Sequence, residues 1–340
     1  MDGLVVVTGA SGFIGGHVVA TLLARGYRVR GTVRSTKDPK KVADLTALPG
    51  AERLELVEAD LLDRGSLRRA MTGATALLHT ASPYVLSPSD PQRDLVDPAV
   101  QGTLAALEAA RAEPLMRRVV VTSSFAALSD EPDADHVLTD ADWNEASSLT
   151  RNPYYYSKVL AEKAAWKFVD TERPGFDLVT INPCLVIGPS LTAGLNTSNG
   201  VFVDVLRGVY PGVLSLAWAM VDVRDVALAH VLAIETPTAR GRYLCGAETL
   251  TMREMCGALA ASGRKVPTLN LDHAVGRAIL WLASWTQPSG VGTYLRTNLG
   301  KTTRFDNSRI RADLGMTFRD VRASITETVP DLVRWGHLPA

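Results

Sequence analysis

Cysteine is scarce in this chain. The three present, Cys184, Cys245 and Cys256, are too few and too scattered for a disulfide framework or a zinc site. They are expected to be small buried side chains, with no metal centre among them. A net charge of either sign is missing as well, because 36 lysines and arginines balance 36 aspartates and glutamates, leaving no basic footprint for nucleic acid. No apolar run approaches the roughly 20 residues a bilayer span requires, and the longest, around 279–283, is soon interrupted. The sequence enters a strand-like run at Val5 with no basic segment and apolar signal region before it, and it shows no internal repeat or low-complexity tract. These absences lead to the expectation of a cytoplasmic protein without membrane or nucleic-acid partners. At 340 residues, 46% of them hydrophobic, the chain can bury a sizeable core as one large domain or two unequal lobes.

The strongest early signal is at the N-terminus. Leu4-Val5-Val6-Val7-Thr8 is a short β-branched run, Gly9, Gly12 and Gly15 follow in a GxxGxxG spacing, and Val18, Val19, Leu22 and Leu23 then recur at helical spacing. This reads as strand, glycine turn, helix. Glycines there remove the side chains that would block a pyrophosphate, and the helix beyond offers unpaired N–H groups and the positive end of its dipole. The second strand-like run, 27–33, ends in Arg34-Ser35-Thr36-Lys37, where an NAD-binding fold would carry an acidic residue for the ribose hydroxyls. Arginine suits a 2′-phosphate instead, with Lys37, Lys40 and Lys41 adding charge; the other reading is a solvated basic loop.

Further strands are expected at 53–58, 75–81 and 117–124. Asp60, at the mouth of the first of these, either receives the adenine amino group or caps the turn that follows. The second ends in Ala81-Ser82-Pro83-Tyr84, which would pass beside a cofactor and reach the substrate cleft, while His79 within it is expected to be buried and structural. Strands and helices alternating in this way imply a parallel sheet covered on both faces, with ligands gathered at the strand C-termini.

Tyr154-Tyr155-Tyr156-Ser157-Lys158 opens a helix expected through Phe168. A tyrosine and a lysine four apart share one helix face, and a nearby ammonium lowers a phenol from its ordinary pKa of about 10, so the pair can work as an acid. Around the helix axis Tyr154 lies roughly 40° from Lys158, Tyr155 roughly 60° and Tyr156 roughly 160°, which disfavours Tyr156 and leaves the other two open. The alternative is that Lys158 pairs with Glu162 and the tyrosines only pack. A sixth strand, 176–182, stops at Pro183, where the chain must leave the sheet. The stretch 188–212, rich in Gly, Ser, Thr and Asn around an apolar helix at 201–206, is expected to form a substrate wall. A return at 221–223, a helix to Glu235, a strand at 242–245, and helices at 252–261 and 321–334 complete the reading. Leu280, Trp281, Leu282 and Trp285 are expected to pack the core of a smaller lobe; the other reading is that they line a pocket.

Thr8-Gly9-Ala10-Ser11-Gly12-Phe13-Ile14-Gly15, Thr122-Ser123-Ser124 and Tyr154-x-x-x-Lys158 resemble the extended short-chain dehydrogenase/reductase superfamily. Thr32-Val33-Arg34, Ser157-Lys158 with Ala161, Glu162, Ala165 and Trp166, Asn182-Pro183 with Gly188-Pro189, and the run from Val221 to Val226 are similar to one branch of it. That branch holds dihydroflavonol reductases, cinnamoyl-CoA reductases and microbial NADPH-dependent aldehyde and ketone reductases. The resemblance implies an α/β fold, a Rossmann-type doubly wound parallel sheet with a smaller mixed α/β C-terminal lobe. The first would take 1–183 plus roughly 221–235, the second 184–220 and 236–340.

It also implies NADP(H) and Ser–Tyr–Lys chemistry: Ser124 would hydrogen-bond a substrate carbonyl, Tyr154 would deliver the proton as hydride arrives, and Lys158 would bind the ribose and tune Tyr154. Cofactor contacts are expected from the glycine turn at Gly9, Ser11, Gly12, Phe13, Ile14 and Gly15, and on the adenosine side from Arg34, Lys41, Asp60 and Leu61. Others are expected at Thr80, Ala81, Ser82 and Thr122, at Tyr154 and Lys158, and beyond the sixth strand at Pro183, Leu185 and Val186. The substrate would meet Ser82, Tyr84, Phe125, Asn196, Asn199 and Phe202. Asn152-Pro153-Tyr154-Tyr155-Tyr156-Ser157-Lys158 departs from the Asn-Trp-Tyr-Cys-Tyr-Gly-Lys signature of cinnamoyl-CoA reductases, so the expectation is a carbonyl reductase, monomeric or homodimeric, acting on an aldehyde or ketone. The alternatives are a dihydroflavonol or cinnamoyl-CoA type reductase, a sugar-nucleotide epimerase or dehydratase, and a non-catalytic dinucleotide sensor.

Overall fold

A computed structural model describes residues 3–37, 39–82, 89–133, 135–287 and 289–340, with the side chains of 39–41 and 289 outside that description. The chain opens with β1 (Leu4–Thr8), α1 (Phe13–Ala24), β2 (Arg28–Val33), α2 (Pro39–Thr46), β3 (Leu54–Glu58), α3 (Arg64–Met71) and β4 (Ala74–His79). It continues with α4 (Asp97–Arg111), β5 (Arg118–Thr122), α5 (Pro153–Glu172) and β6 (Asp177–Pro183). Then follow β7 (Leu185–Ile187), α6 (Thr197–Leu206), β8 (Ala217–Asp222), α7 (Val223–Glu235), β9 (Gly241–Cys245) and β10 (Glu248–Thr251). The closing helices are α8 (Met252–Ala261), α9 (Ala274–Ala283), α10 (Ser289–Asn298), α11 (Ser308–Leu314) and α12 (Val321–Arg334).

Seven strands form one parallel sheet in the order β3-β2-β1-β4-β5-β6-β9. Both faces are buried, which is why its strands are continuous apolar runs instead of alternating ones. Val5 and Val7 of β1, Leu78 of β4 and Val120 of β5 enter the core beneath α1 and α7, while Val6, Leu77, Val119 and Val121 enter the core beneath α4 and α5. The two-residue period of a strand divides these side chains between the faces. Strand order reverses between β1 and β4, and the crevice at that reversal is where a doubly wound sheet holds its ligand.

A second, three-stranded sheet, β10-β8-β7, pairs β8 antiparallel with β10 and parallel with β7. It rests on a separate core to which α6 gives Phe202, α8 gives Met255 and Leu259, and α12 gives Ile325 and Val329. One boundary differs from expectation. β9 is the edge strand of the large sheet, registered against β6, although 236–340 was assigned to the smaller lobe. Ile310 and Leu314 of α11 also pack into the large core. The tail therefore crosses between lobes more than once.

Leu280 packs against the second core, but Trp281, Leu282 and Trp285 are exposed, contrary to expectation. Instead the two tryptophans meet edge to face, and the Arg296 guanidinium covers Trp285. All three cysteines are buried and unpaired. Among the described residues no helix is long and apolar enough to cross a membrane, and no His, Cys, Asp and Glu group could hold a metal ion.

Candidate active site

The turn from β1 into α1 has no room for side chains at two of its glycines. Gly9 sits at φ +69°, a left-handed conformation, with the position of a Cβ only 3.0 Å from the Ala81 Cα; at Gly15 a Cβ would stand 2.1 Å from the Gly9 carbonyl oxygen. Gly12 is the N-cap of α1 and supplies no side-chain cap, and its own N–H closes the turn onto the Gly9 oxygen at 2.9 Å. A bare concave turn at the positive end of a twelve-residue helix fits the pyrophosphate of a dinucleotide.

Across the crevice, Ser124 leaves β5 in an extended conformation and starts a short 3₁₀ turn, its Oγ accepting from the Ala126 N–H at 3.1 Å. Tyr154 lies in the first turn of α5, just after Pro153, whose missing N–H is harmless at a helix start. Asn152, before it, takes a left-handed φ of 51° and donates its side-chain amide to buried Asp130. One turn on, Lys158 is 9% exposed and lies 5.5 Å from the Tyr154 ring centroid. Its Nζ donates to Ser82 Oγ at 2.8 Å, and burial lowers its pKa to about 8.

The alternative partnership of Lys158 with Glu162 does not form. Glu162 is buried and accepts from Ser123 Oγ at 2.5 Å, Asn182 Nδ2 at 2.7 Å, Thr180 Oγ1 at 3.1 Å and Trp166 Nε1 at 3.2 Å. Its charge is met by Arg242 of β9, Nε to Oε1 at 2.6 Å. Arg242 also donates to the Asp140, Asp142 and Ala127 carbonyls and lies 3.7 Å from the Trp143 ring centroid. Asn182 reaches on to the Ser124 carbonyl at 3.3 Å. One buried carboxylate thus ties α5 to the ends of β5, β6 and β9.

Two histidines nearby are structural. His79 is buried, shares a 2.8 Å hydrogen bond with Thr8 Oγ1, and is lowered to about 4 by burial and then by the Lys158 charge. His230 is also lowered to about 4 by burial. Its Nδ1 faces the Val226 carbonyl at 2.7 Å, which can only accept, so Nε2 accepts from Thr122 Oγ1 at 2.6 Å.

A cavity of about 680 Å³ joins these parts. Gly9, Gly12, Phe13, Ile14 and Gly15 line one end, with Thr80 and Ser82 after β4 and Thr122 after β5. Ser124, Phe125, Tyr154 and Lys158 line the middle, and Pro183, Leu185, Val186 and Asn196 carry the wall into the smaller lobe. Other expected contacts lie elsewhere. Ser11 is in the glycine turn but outside the cavity wall, and Ala81 packs against Gly9. Arg34 is exposed directly after β2, and Leu61 packs on Gly102 of α4. Asp60 Oδ1 accepts from the Leu62 N–H at 2.8 Å, so it caps its own turn. Asn199 and Phe202 are not brought to the cavity: Asn196 caps α6, which turns Asn199 onto the Gly188 carbonyl and Phe202 into the second core. Tyr84 and the Lys41 side chain lie outside the described residues.

The far wall holds Tyr155, which the sequence offered only as a rival to Tyr154, and three residues the sequence did not single out. Trp218 of β8, Tyr294 and Asn298 of α10, and Tyr155 stand there. Tyr155 meets Tyr154 edge to face at 6.1 Å, and burial, then the Tyr155 hydroxyl, pushes the Tyr294 phenol well up. Asp130 and Glu131 form part of the rim, with Arg151 held on both and Lys301 3.4 Å from Glu131. Trp218, Tyr294 and Asn298 carry no local signal for this wall, and nothing in the spacing ties Tyr294 to Tyr155, 139 positions upstream.

A parallel doubly wound sheet with a bare glycine cradle at its switch point and a serine, a tyrosine and a lysine across one crevice defines a dinucleotide-dependent oxidoreductase. Residues 5–246 match the NAD dependent epimerase/dehydratase family, and the chain belongs to it, within the extended short-chain dehydrogenases/reductases. Cinnamoyl-CoA reductase 1 of Petunia hybrida is 40% identical, covering 99% of this chain and 94% of its own. Ketoreductase azaE of Aspergillus niger is 33% identical over 97% of both. Among solved structures, Gre2 of Candida albicans in complex with NADPH superposes with a TM-score of 0.79 at 30% identity, over 98% of this chain and 99% of that one. Vestitone reductase from alfalfa gives 0.75 at 26% identity, over 99% and 100%. The protein is an NADP(H)-dependent oxidoreductase of the extended short-chain type.

Proposed function

We propose that this enzyme reduces a neutral aldehyde or ketone carrying an aromatic or bulky apolar group to the alcohol. The observation that carries the reading is one cavity lined by the glycine cradle, by Ser124, Tyr154 and Lys158, and by an aromatic far wall. NADPH, when bound, supplies the hydride for the carbonyl carbon. Tyr154 gives its phenolic proton to the carbonyl oxygen, and Ser124 donates a hydrogen bond to the same oxygen while its lone pair holds the Ala126 N–H. The Lys158 ammonium, one turn along α5, favours the phenolate left behind until solvent returns the proton.

The substrate class follows from the walls. Leu185, Leu195, Tyr155, Trp218 and Tyr294 offer apolar and aromatic surface, suited to a ring or a branched chain. Lys158 is the only basic side chain among the described lining residues, whereas Asp130 and Glu131 add carboxylates at the rim. The cations at that rim, Arg151 and Lys301, are already held by Asp130 and Glu131, which leaves them poorly placed to take the phosphates of a coenzyme-A thioester. This favours a free carbonyl over the thioester in the name of the petunia relative. The test is NADPH consumption across aryl ketones, aryl aldehydes, aliphatic aldehydes, keto esters, dihydroflavonols and cinnamoyl-CoA. Neutral aryl carbonyls should exceed cinnamoyl-CoA in kcat/KM by about tenfold or more, the scale of one lost charge-assisted contact. Cinnamoyl-CoA as the best substrate would refute the reading.

A further inference from the structure

The turn that follows β2, Arg34-Ser35-Thr36-Lys37, already holds an anion, and that anion belongs to the protein. Val33 pairs with Glu58 across β2 and β3, a register that brings the Glu58 carboxylate to the turn. Its Oε1 accepts from the Thr36 N–H at 2.8 Å and from Thr36 Oγ1 at 3.0 Å. These bonds, followed by the charge of Lys37 and the hydroxyl of Ser35, hold the carboxyl below its ordinary range, so it is ionised at neutral pH.

We infer that Glu58 is a specificity-determining residue whose negative charge, held at the Thr36 donors, repels the 2′-phosphate of NADPH and so limits the preference for NADPH over NADH. The inference rests on the NADP(H) reading. In a doubly wound sheet the turn after the second strand reads the adenosine ribose. A carboxylate and a phosphate are both acceptors only, so they cannot bond each other, and they repel. A ribose 2′-hydroxyl can instead donate to a carboxylate. Glu58 therefore tolerates NADH while opposing the phosphate that Arg34 and Lys37 attract.

Glu58→Gln separates these effects, because the amide oxygen can still accept from Thr36 while the charge is gone. The side chain is exposed, so the fold does not depend on it. The measurement is the dissociation constant of the full chain for NADPH and NADH, and for the fragments adenosine 2′,5′-bisphosphate and 5′-AMP. The variant should bind the two 2′-phosphorylated ligands about three- to tenfold tighter, the scale of one exposed charge at short range, with NADH and 5′-AMP within about twofold of the parent. Unchanged or weaker binding of the 2′-phosphorylated pair overturns the proposal and leaves Glu58 as a holder of the turn. A parent enzyme that binds NADH as well as NADPH is a separate failure. It strikes the NADP(H) reading, and the response of adenosine 2′,5′-bisphosphate to the variant still decides the role of Glu58.

Discussion

Lys158 is a cation placed where a cation is disfavoured. Burial lowers it to about 8, against an ordinary value near 10.4. Because the folded value lies below the unfolded one, the neutral form is favoured by folding. Charging Lys158 as pH falls through about 8 opposes stability, and that opposition fades as pH rises towards the unfolded value. Activity should run the other way. The ammonium makes Tyr154 a better acid, so kcat/KM for carbonyl reduction should be level below about pH 8 and fall above it, with the phosphates of bound cofactor able to move the midpoint only upward. A profile flat to about pH 10 would show that the charge on Lys158 does not govern the proton transfer. The Tyr154–Lys158 spacing was legible in the sequence because a helix brings residues four apart together. Ser82, the hydroxyl that holds Lys158, was expected at the site but not in that role, since nothing in local spacing links positions 76 apart.

α5 works as a unit because it carries Tyr154, Lys158 and Glu162 in three successive turns. The first two face the cavity, and the third anchors the helix to the sheet through Arg242, 80 residues downstream. Periodicity could place Glu162 on the same face as Lys158 but could not supply Arg242, whose strand was assigned to the wrong lobe. A strand as short as β9 has no signature for the sheet it joins, and its partner β6 lies some 60 residues upstream. Removing Arg242 leaves a buried carboxylate with no cation, a change that typically costs about 3–5 kcal/mol. Arg242→Met should therefore lower stability by about that amount in urea unfolding, and the double variant Arg242→Met with Glu162→Leu should regain part of it. A single variant within about 0.5 kcal/mol of the parent would mean that the pair contributes little to holding α5.

At the scale of the molecule, the large sheet was readable almost strand by strand, because buried parallel strands are short apolar runs separated by helices of clear period. The smaller lobe was not. Its sheet combines three short strands drawn from 185–251, and the aromatic wall joins β8, α5 and α10 through contacts across more than a hundred residues. Phe202, expected at the substrate because it lies in the loop-rich wall 188–212, serves the core because the cap at Asn196 fixes which face of α6 turns inward. The central claim concerns the crevice between the lobes, where Tyr154 and Tyr155 stand 6.1 Å apart and only one can be the acid. The most direct measurement is kcat for carbonyl reduction by Tyr154→Phe and by Tyr155→Phe, with NADPH dissociation constants taken for both. Tyr154→Phe should lose a factor of about 10²–10⁴ while still binding NADPH, and Tyr155→Phe should stay within about tenfold of the parent. An active Tyr154→Phe enzyme beside an inactive Tyr155→Phe one would contradict the assignment of the proton donor.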